Sequence, residues 1–127
     1  MSEIRVRGIR GATSVTQNTP EAIWEATSQL LLKMTGENNI PVDDIVSIIF
    51  STTGDLNAAF PAKAARDLGW QYVPLLDVQQ YEAPDLPRTI RVLMHVNTPL
   101  SQQQIRHIYL GQTKQLRPDL VHFRDKE

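Results

Sequence analysis

The sequence predicts a single domain of mixed helix and strand, in which helices cover a sheet. Three observations carry that expectation. Runs of β-branched and apolar residues recur at four places, Ile4 to Val15, Ile45 to Ser51, Trp70 to Leu76 and Thr89 to Asn97, and such runs suit strands buried on one or both faces. Between them lie stretches with apolar residues at helical spacing and capping residues at their starts. The length of 127 residues is that of about one domain, and no repeat, low-complexity run or internal linker divides it.

In the first run Ile4 and Val6 alternate with Arg5 and Arg7, and Gly8 and Gly11 flank Ile9 and Arg10, which suggests a bulge or a close backbone approach. Arg10 either points into a pocket or is one more solvated strand arginine. Thr19 and Pro20 open a helix, the hydroxyl capping free amides and the proline presetting φ. Ile23, Leu30, Leu31 and Met34 continue it to about Thr35, and Gly36 is expected to end it. Trp24 on this helix reads as packing. Ile45 to Ser51 is too continuously apolar for a surface element and reads as a central strand.

Thr52 to Asp55 form a turn of the kind where sites sit. Pro61 then presets a short helix of strong formers, Ala62 to Leu68, closed by Gly69, with Lys63 and Arg66 on one face. A solvated basic face is the ordinary reading of that pair. Trp70 to Leu76 reads as an aromatic strand that Pro74 marks as an edge or a bulge. It delivers Asp77, Val78, Gln79 and Gln80, and residues 77 and 80 share a face if that elbow is one helical turn. A proline-rich loop around Pro84 and Pro87 leads to the fourth strand, in which Arg91 shares a face with Leu93 and His95, opposite Ile90, Val92 and Met94. Strand arginines usually face solvent. Ser101 and Gln104 form a capping box predicting a helix to about Thr113, with Ile105, Ile108, Tyr109 and Gln112 on one face. Tyr109 is either core rim or a hydroxyl offered to a ligand. Residues 119–127 read as a mobile polar tail.

A net charge of -1 and a pI near 6.3 give no uniform positive field, so neither nucleic acid nor an anionic membrane is an expected partner. Any anion must be recognised locally. Nine of the thirteen basic residues are arginine, whose planar fork suits carboxylates. The absence of cysteine removes thiolate nucleophiles and sulfur metal sites, and His95, His107 and His122 lack ligand spacing. They read as surface or packing residues. No apolar run is long enough to span a membrane, and the charged start MSEIRVRG is unlike a signal peptide. A soluble, cytoplasmic protein is expected.

Five blocks, RGIRGAT (Arg7 to Thr13), FPAKAARDLGWQYVPL (Phe60 to Leu75), IRVL (Ile90 to Leu93), QIRHIYL (Gln104 to Leu110) and LRPDL (Leu116 to Leu120), resemble in order and spacing the monofunctional, trimeric α+β chorismate mutases. The resemblance spans nearly the whole chain. It implies one domain over 1–127: a mixed β-sheet with helices packed on one face, assembled as a homotrimer with a barrel-like centre and sites between neighbouring subunits. It implies conversion of chorismate to prephenate, in phenylalanine and tyrosine biosynthesis, with no cofactor and no metal. The reaction is an intramolecular [3,3] rearrangement, which needs no nucleophile or proton transfer. A protein assists it by holding the compact dicarboxylate and stabilising charge that grows on the ether oxygen.

Residue by residue, Arg91 resembles the donor to the ether oxygen. Arg10 and Tyr109 resemble carboxylate binders, and Phe60, Ala62, Lys63, Leu116 and Arg117 the wall and rim. Leu76, Asp77, Val78, Gln79 and Gln80 fall in the adjoining wall. There the sequence departs from the family, which commonly has glutamate at the place of Gln80 and a small residue, often cysteine, at that of Asp77. One expectation is that the acid has exchanged places, both side chains facing the pocket from a turn; another is that Gln80 accepts the substrate hydroxyl neutrally. The altered pair also leaves open a non-catalytic trimer that binds an aromatic dicarboxylate.

Overall fold

The computed structural model describes residues 3–81 and 86–115. Strand β1 (Arg5–Ser14) leads to helix α1 (Pro20–Asn38), β2 (Ile45–Thr52), helix α2 (Ala62–Asp67), β3 (Leu75–Gln79), β4 (Thr89–Thr98) and the two-residue β5 (Ile108–Tyr109). The strand order is β3-β2-β4-β1-β5. β4 runs antiparallel to both β1 and β2, while β3 is parallel to β2 and β5 parallel to β1. The sheet is therefore mixed, within an α+β fold. Among the described residues no helix is long and apolar enough to cross a membrane.

Alternation along β4 sorts the two faces. Ile90, Val92, Met94 and Val96 are buried with Ile9, Ile48 and Phe50 under Ile23, Leu30, Leu31 and Met34 of α1. Each such side chain, fully buried, contributes about 1.5–3 kcal/mol. Gly11 faces the helix, where a Cβ would collide with Met34 Sδ and come within 3.2 Å of Leu30 Cδ1. Its missing side chain lets α1 lie close on β1. Leu76, Val78 and Leu93 remain 56, 42 and 38% exposed on the other face.

Several local expectations change. The β1–β4 register is unbroken past Gly8 and Gly11, and the irregularity lies in β2, between Ile45 and Ser47. Thr19 caps α1 as expected, accepting from Ala22 N at 3.2 Å. The helix runs past Gly36, however, to a left-handed Asn39, because the Asn38 side chain anchors its last turn to Met34 O and to both backbone groups of Arg106. Trp70 to Val73 form a turn rather than a strand. That segment carries the chain away from Gly69, at φ 90°, with Trp70 in the core, and β3 begins only after Pro74, at the sheet edge that the proline predicts.

The helix expected from Ser101 is also absent. Its capping box does form, Ser101 N donating to Gln104 Oε1 at 2.9 Å and Gln104 N to Ser101 Oγ at 3.3 Å. The next backbone groups are then taken by distant partners, Asn38 at residue 106 and β1 at residues 108–109, so the helix does not propagate. Ile108 is consequently buried while Tyr109, one residue on in a strand, takes the opposite face.

Candidate functional site

The sheet register builds the site. Across the face away from the helices, Val78, Ser51, Arg91, Ala12 and Tyr109 form one row over all five strands. The next row holds Leu76, Ile49, Leu93 and Arg10. Arg10 and Arg91 are thus diagonal neighbours, about 7–8 Å apart, and Tyr109 lies two strands, about 10 Å, from Arg91. Arg10 is exposed and Arg91 half-buried. Two cations and a phenol are brought together here on a largely apolar surface, a layout suited to a small organic dianion. The Arg10 backbone is held by the edge, its N–H donating to His107 Nδ1 at 2.9 Å. That bond requires a lone pair on Nδ1.

Gln80 extends this face. Its N–H donates to Thr52 O at 3.0 Å, continuing the ladder beyond β3, and alternation directs its side chain to the side of Leu76 and Val78. Its Oε1 is buried with no hydrogen-bond partner among the described residues. An orphaned acceptor costs roughly 1–3 kcal/mol. A donor from a ligand or a neighbouring chain would remove that cost.

Asp77 lies on the other side. The elbow is strand through Gln79, not a helical turn, so Asp77 pairs with the core residue Phe50 and faces the helices, as alternation also places Gln79. There Asp77 Oδ1 accepts from Ala62 N at 3.1 Å, satisfying an amide at the start of α2 for which Pro61 offers no side-chain cap. Desolvation raises the carboxyl above its ordinary range, partly offset by the Ala62 amide and the Arg66 charge. The supposed exchange of Asp77 with Gln80 therefore fails geometrically, since the two point to opposite faces. Phe60, Ala62 and Lys63 belong to the α2 side. Phe60 is 72% exposed, its carbonyl accepting from Trp24 Nε1 at 3.2 Å. Lys63 Nζ sits 4.4 Å over the Trp24 ring and 2.8 Å from Asp67 Oδ2, so Trp24 is a platform as well as packing. Such an exposed ion pair is worth about 1 kcal/mol at most, which leaves Lys63 able to turn to another anion.

Comparison with known proteins gives one answer. A family model described as chorismate mutase type I matches residues 6–120. This chain belongs to that family. It is 50% identical over 117 residues to the chorismate mutases AroH of Thermus thermophilus and Bacillus subtilis (strain 168), covering 91% of this chain and 96 and 92% of theirs. A solved chorismate mutase from Clostridium thermocellum is 46% identical, with a TM-score of 0.84 over 85% of this chain and 97% of its own.

For a chorismate mutase type I chain, the candidates divide by face. Arg10, Arg91, Tyr109, Leu76, Val78 and Gln80 share one side of the sheet, and Phe60, Ala62, Lys63, Asp77 and Gln79 go with the other. Leu116 and Arg117 lie outside the described residues. An open groove of about 610 Å³ lies elsewhere, lined by Asn38, Thr98 and Arg106 among others, at the far end of β4 from Arg91. Seven residues, about 24 Å along a strand, separate Thr98 from Arg91. The groove's charged lining, Glu37 and Arg106, has opposite signs, and it lacks the gathering of cations found on the sheet face. Sequence reasoning missed His107 as the support of Arg10, having read it as surface or packing. Only the register of β5 on β1 reveals it.

Proposed function

We propose that the reaction takes place on the open face of the sheet, in a site completed by a second copy of the chain within a homotrimer. The activity itself follows from the family: the chain is a chorismate mutase, an isomerase that converts chorismate to prephenate, and aromatic amino acid biosynthesis follows from that. Arg91 donates to the ether oxygen, where charge grows as the carbon–oxygen bond breaks. Arg10 and Tyr109 hold carboxylate, and Gln80 Oε1 accepts from the substrate hydroxyl without bringing a second negative charge near a dianion. Leu76 and Val78 exclude water along one side. Phe60, Ala62 and Lys63, with Gln79, supply the facing wall and rim from the neighbouring copy, and Asp77 holds the start of α2 from which that wall projects; Leu116 and Arg117 are taken as wall and rim residues from the family resemblance alone.

The observation that carries this reading is the division of candidates between two sides of one sheet, because a single copy cannot close both sets around one substrate. The exposed apolar side chains Leu76, Val78 and Leu93 support assembly, since such a face is commonly covered in a stable protein. Subunit complementation tests it. Arg91→Ala and Lys63→Glu are purified, mixed, unfolded and refolded together, and chorismate loss is followed by absorbance. Shared sites in a random trimer make about a quarter of the interfaces intact, so activity exceeds the sum of the parents. A mixture no more active than its parents would mean that each copy closes its own site.

A further inference from the structure

Just before β4 the backbone does something costly. Arg88 takes φ 44°, in the left-handed region where a residue with a Cβ is strained. Around it three chain segments are tied together. Both Asp55 carboxylate oxygens accept from Arg88 N at 3.0 Å, and Thr53 Oγ1 donates to Asp55 while accepting from Thr89 N at 3.0 Å. Thr53 N donates to Thr89 O at 3.0 Å, Val15 N donates to Arg88 O at 2.8 Å, and Arg88 Nε donates to Val15 O at 2.9 Å. The end of β1, the end of β2 and the start of β4 meet at this one strained residue.

Arg91 lies only two residues beyond Thr89, where the ladder finishes with the pairs Ser14–Thr89 and Thr52–Ile90. Strand ends open most readily, and a donor displaced by an ångström loses much of its effect on a transition state. We propose that Asp55 is a positioning residue for Arg91: its carboxylate, acting with Thr53, holds Arg88 in the left-handed conformation and so keeps the first residues of β4 in register beneath the catalytic guanidinium. This rests on the role given to Arg91 above. Asp55 is exposed, so it adds little to the core. Desolvation is the largest single effect and opposes its charge, but the hydrogen bonds from Thr53 and the backbone, together with the charge of Arg88, outweigh it and hold the carboxyl below its ordinary range. It is therefore a charged acceptor at neutral pH.

The test is a double-mutant cycle on the full chain, with kcat and KM for chorismate, thermal midpoint and oligomer size measured for each variant. Asp55→Ala is expected to lower kcat about tenfold while KM moves less than about twofold, because Arg91 acts on the transition state. In an Arg88→Gly background, where glycine adopts the left-handed backbone unaided, the same Asp55→Ala change is expected to cost less than about twofold. A purely structural role would lower the thermal midpoint and shift kcat and KM together in both backgrounds. Should Asp55→Ala fail to fold, Asp55→Asn is read by the same criteria. An unchanged kcat, or an equal loss in both backgrounds, overturns the proposal. If Arg91→Ala keeps its turnover, the site assignment has failed; if Arg91→Ala is inactive and Asp55→Ala is not, only the clamp has.

Discussion

Arg91→Ala is the perturbation that bears hardest on the site. Arg91 stands between Ser51 and the buried Ala12 in its row, and Arg10 is its diagonal neighbour. If the guanidinium groups keep the diagonal backbone spacing of about 7.5 Å, the two charges repel by about 0.5 kcal/mol in water, or about 2 kcal/mol at an effective dielectric of 20. A bound dianion adds attraction to both cations that offsets this repulsion, so the pair suits an anionic ligand. Losing a donor aimed at developing oxyanion charge costs about 3–4 kcal/mol, which is roughly 10²–10³ in turnover. Because the interaction strengthens in the transition state, the loss falls on kcat more than on KM. The assay is the decay of chorismate absorbance, with acid conversion of the product to phenylpyruvate as confirmation and thermal midpoint and size as folding controls. A folded variant with turnover within about tenfold of the parent would remove Arg91 from the role assigned by the same reasoning.

Two further predictions follow from individual hydrogen bonds. His107→Ala deprives Arg10 N of its acceptor, and a lost hydrogen bond of about 1 kcal/mol should raise KM roughly fivefold with a smaller change in kcat, since on the proposed role Arg10 holds a carboxylate in ground and transition states alike; steady-state kinetics with KM unchanged would contradict the support role. Asp77 has its folded pKa raised from 3.8 by desolvation, so the folded chain binds the proton more readily than the unfolded one, and the group's contribution to stability falls as pH rises from below 3.8 through the raised value. Asp77→Asn keeps the Oδ1 acceptor for Ala62 N without the charge; its stability relative to the parent, from denaturant midpoints, should therefore be higher at neutral pH than at acid pH, and the opposite trend would show that the carboxylate is stabilised where it sits.

The parts of the fold legible in the sequence were those governed by local pattern. Ile90, Val92, Met94 and Val96 alternate because one face of β4 is core, and Thr19 with Pro20 fixes the start of α1 through groups within one turn. What misled were segments whose backbone partners lie far along the chain. The capping box at Ser101 forms as its residues predict, yet Asn38, sixty-eight positions away from Arg106, takes the groups a helix would have used. Trp70 and Val73 are good strand formers, but both are buried in the turn leaving α2, and burial of that area outweighs β-propensity. Gly36 could have ended α1, and did not, because the cost of an interior glycine, about 1 kcal/mol, is within reach of the hydrogen bonds that hold Asn38.

The candidate site divides along the same line. That Arg91 opposes Ile90 and Val92 could be read from period two alone, whereas its place in a row with Tyr109 depends on β1 lying between β4 and β5, which no local pattern encodes. Asp77 and Gln80 show the difference most directly. Three residues apart, they share a face in a helical turn and oppose one another in a strand, and the continuation of β3 to Gln79 decides between the two. The acid has therefore not moved beside Gln80; it caps α2, and the acceptor on the side of Arg91 is the neutral Oε1 of Gln80, without a partner among the described residues. On the proposed role, a neutral acceptor there gives up a charge-assisted hydrogen bond to the substrate but also spares a dianion a negative neighbour. How those two effects balance is set by the cations around it, and Arg91 and Arg10 are both on that face.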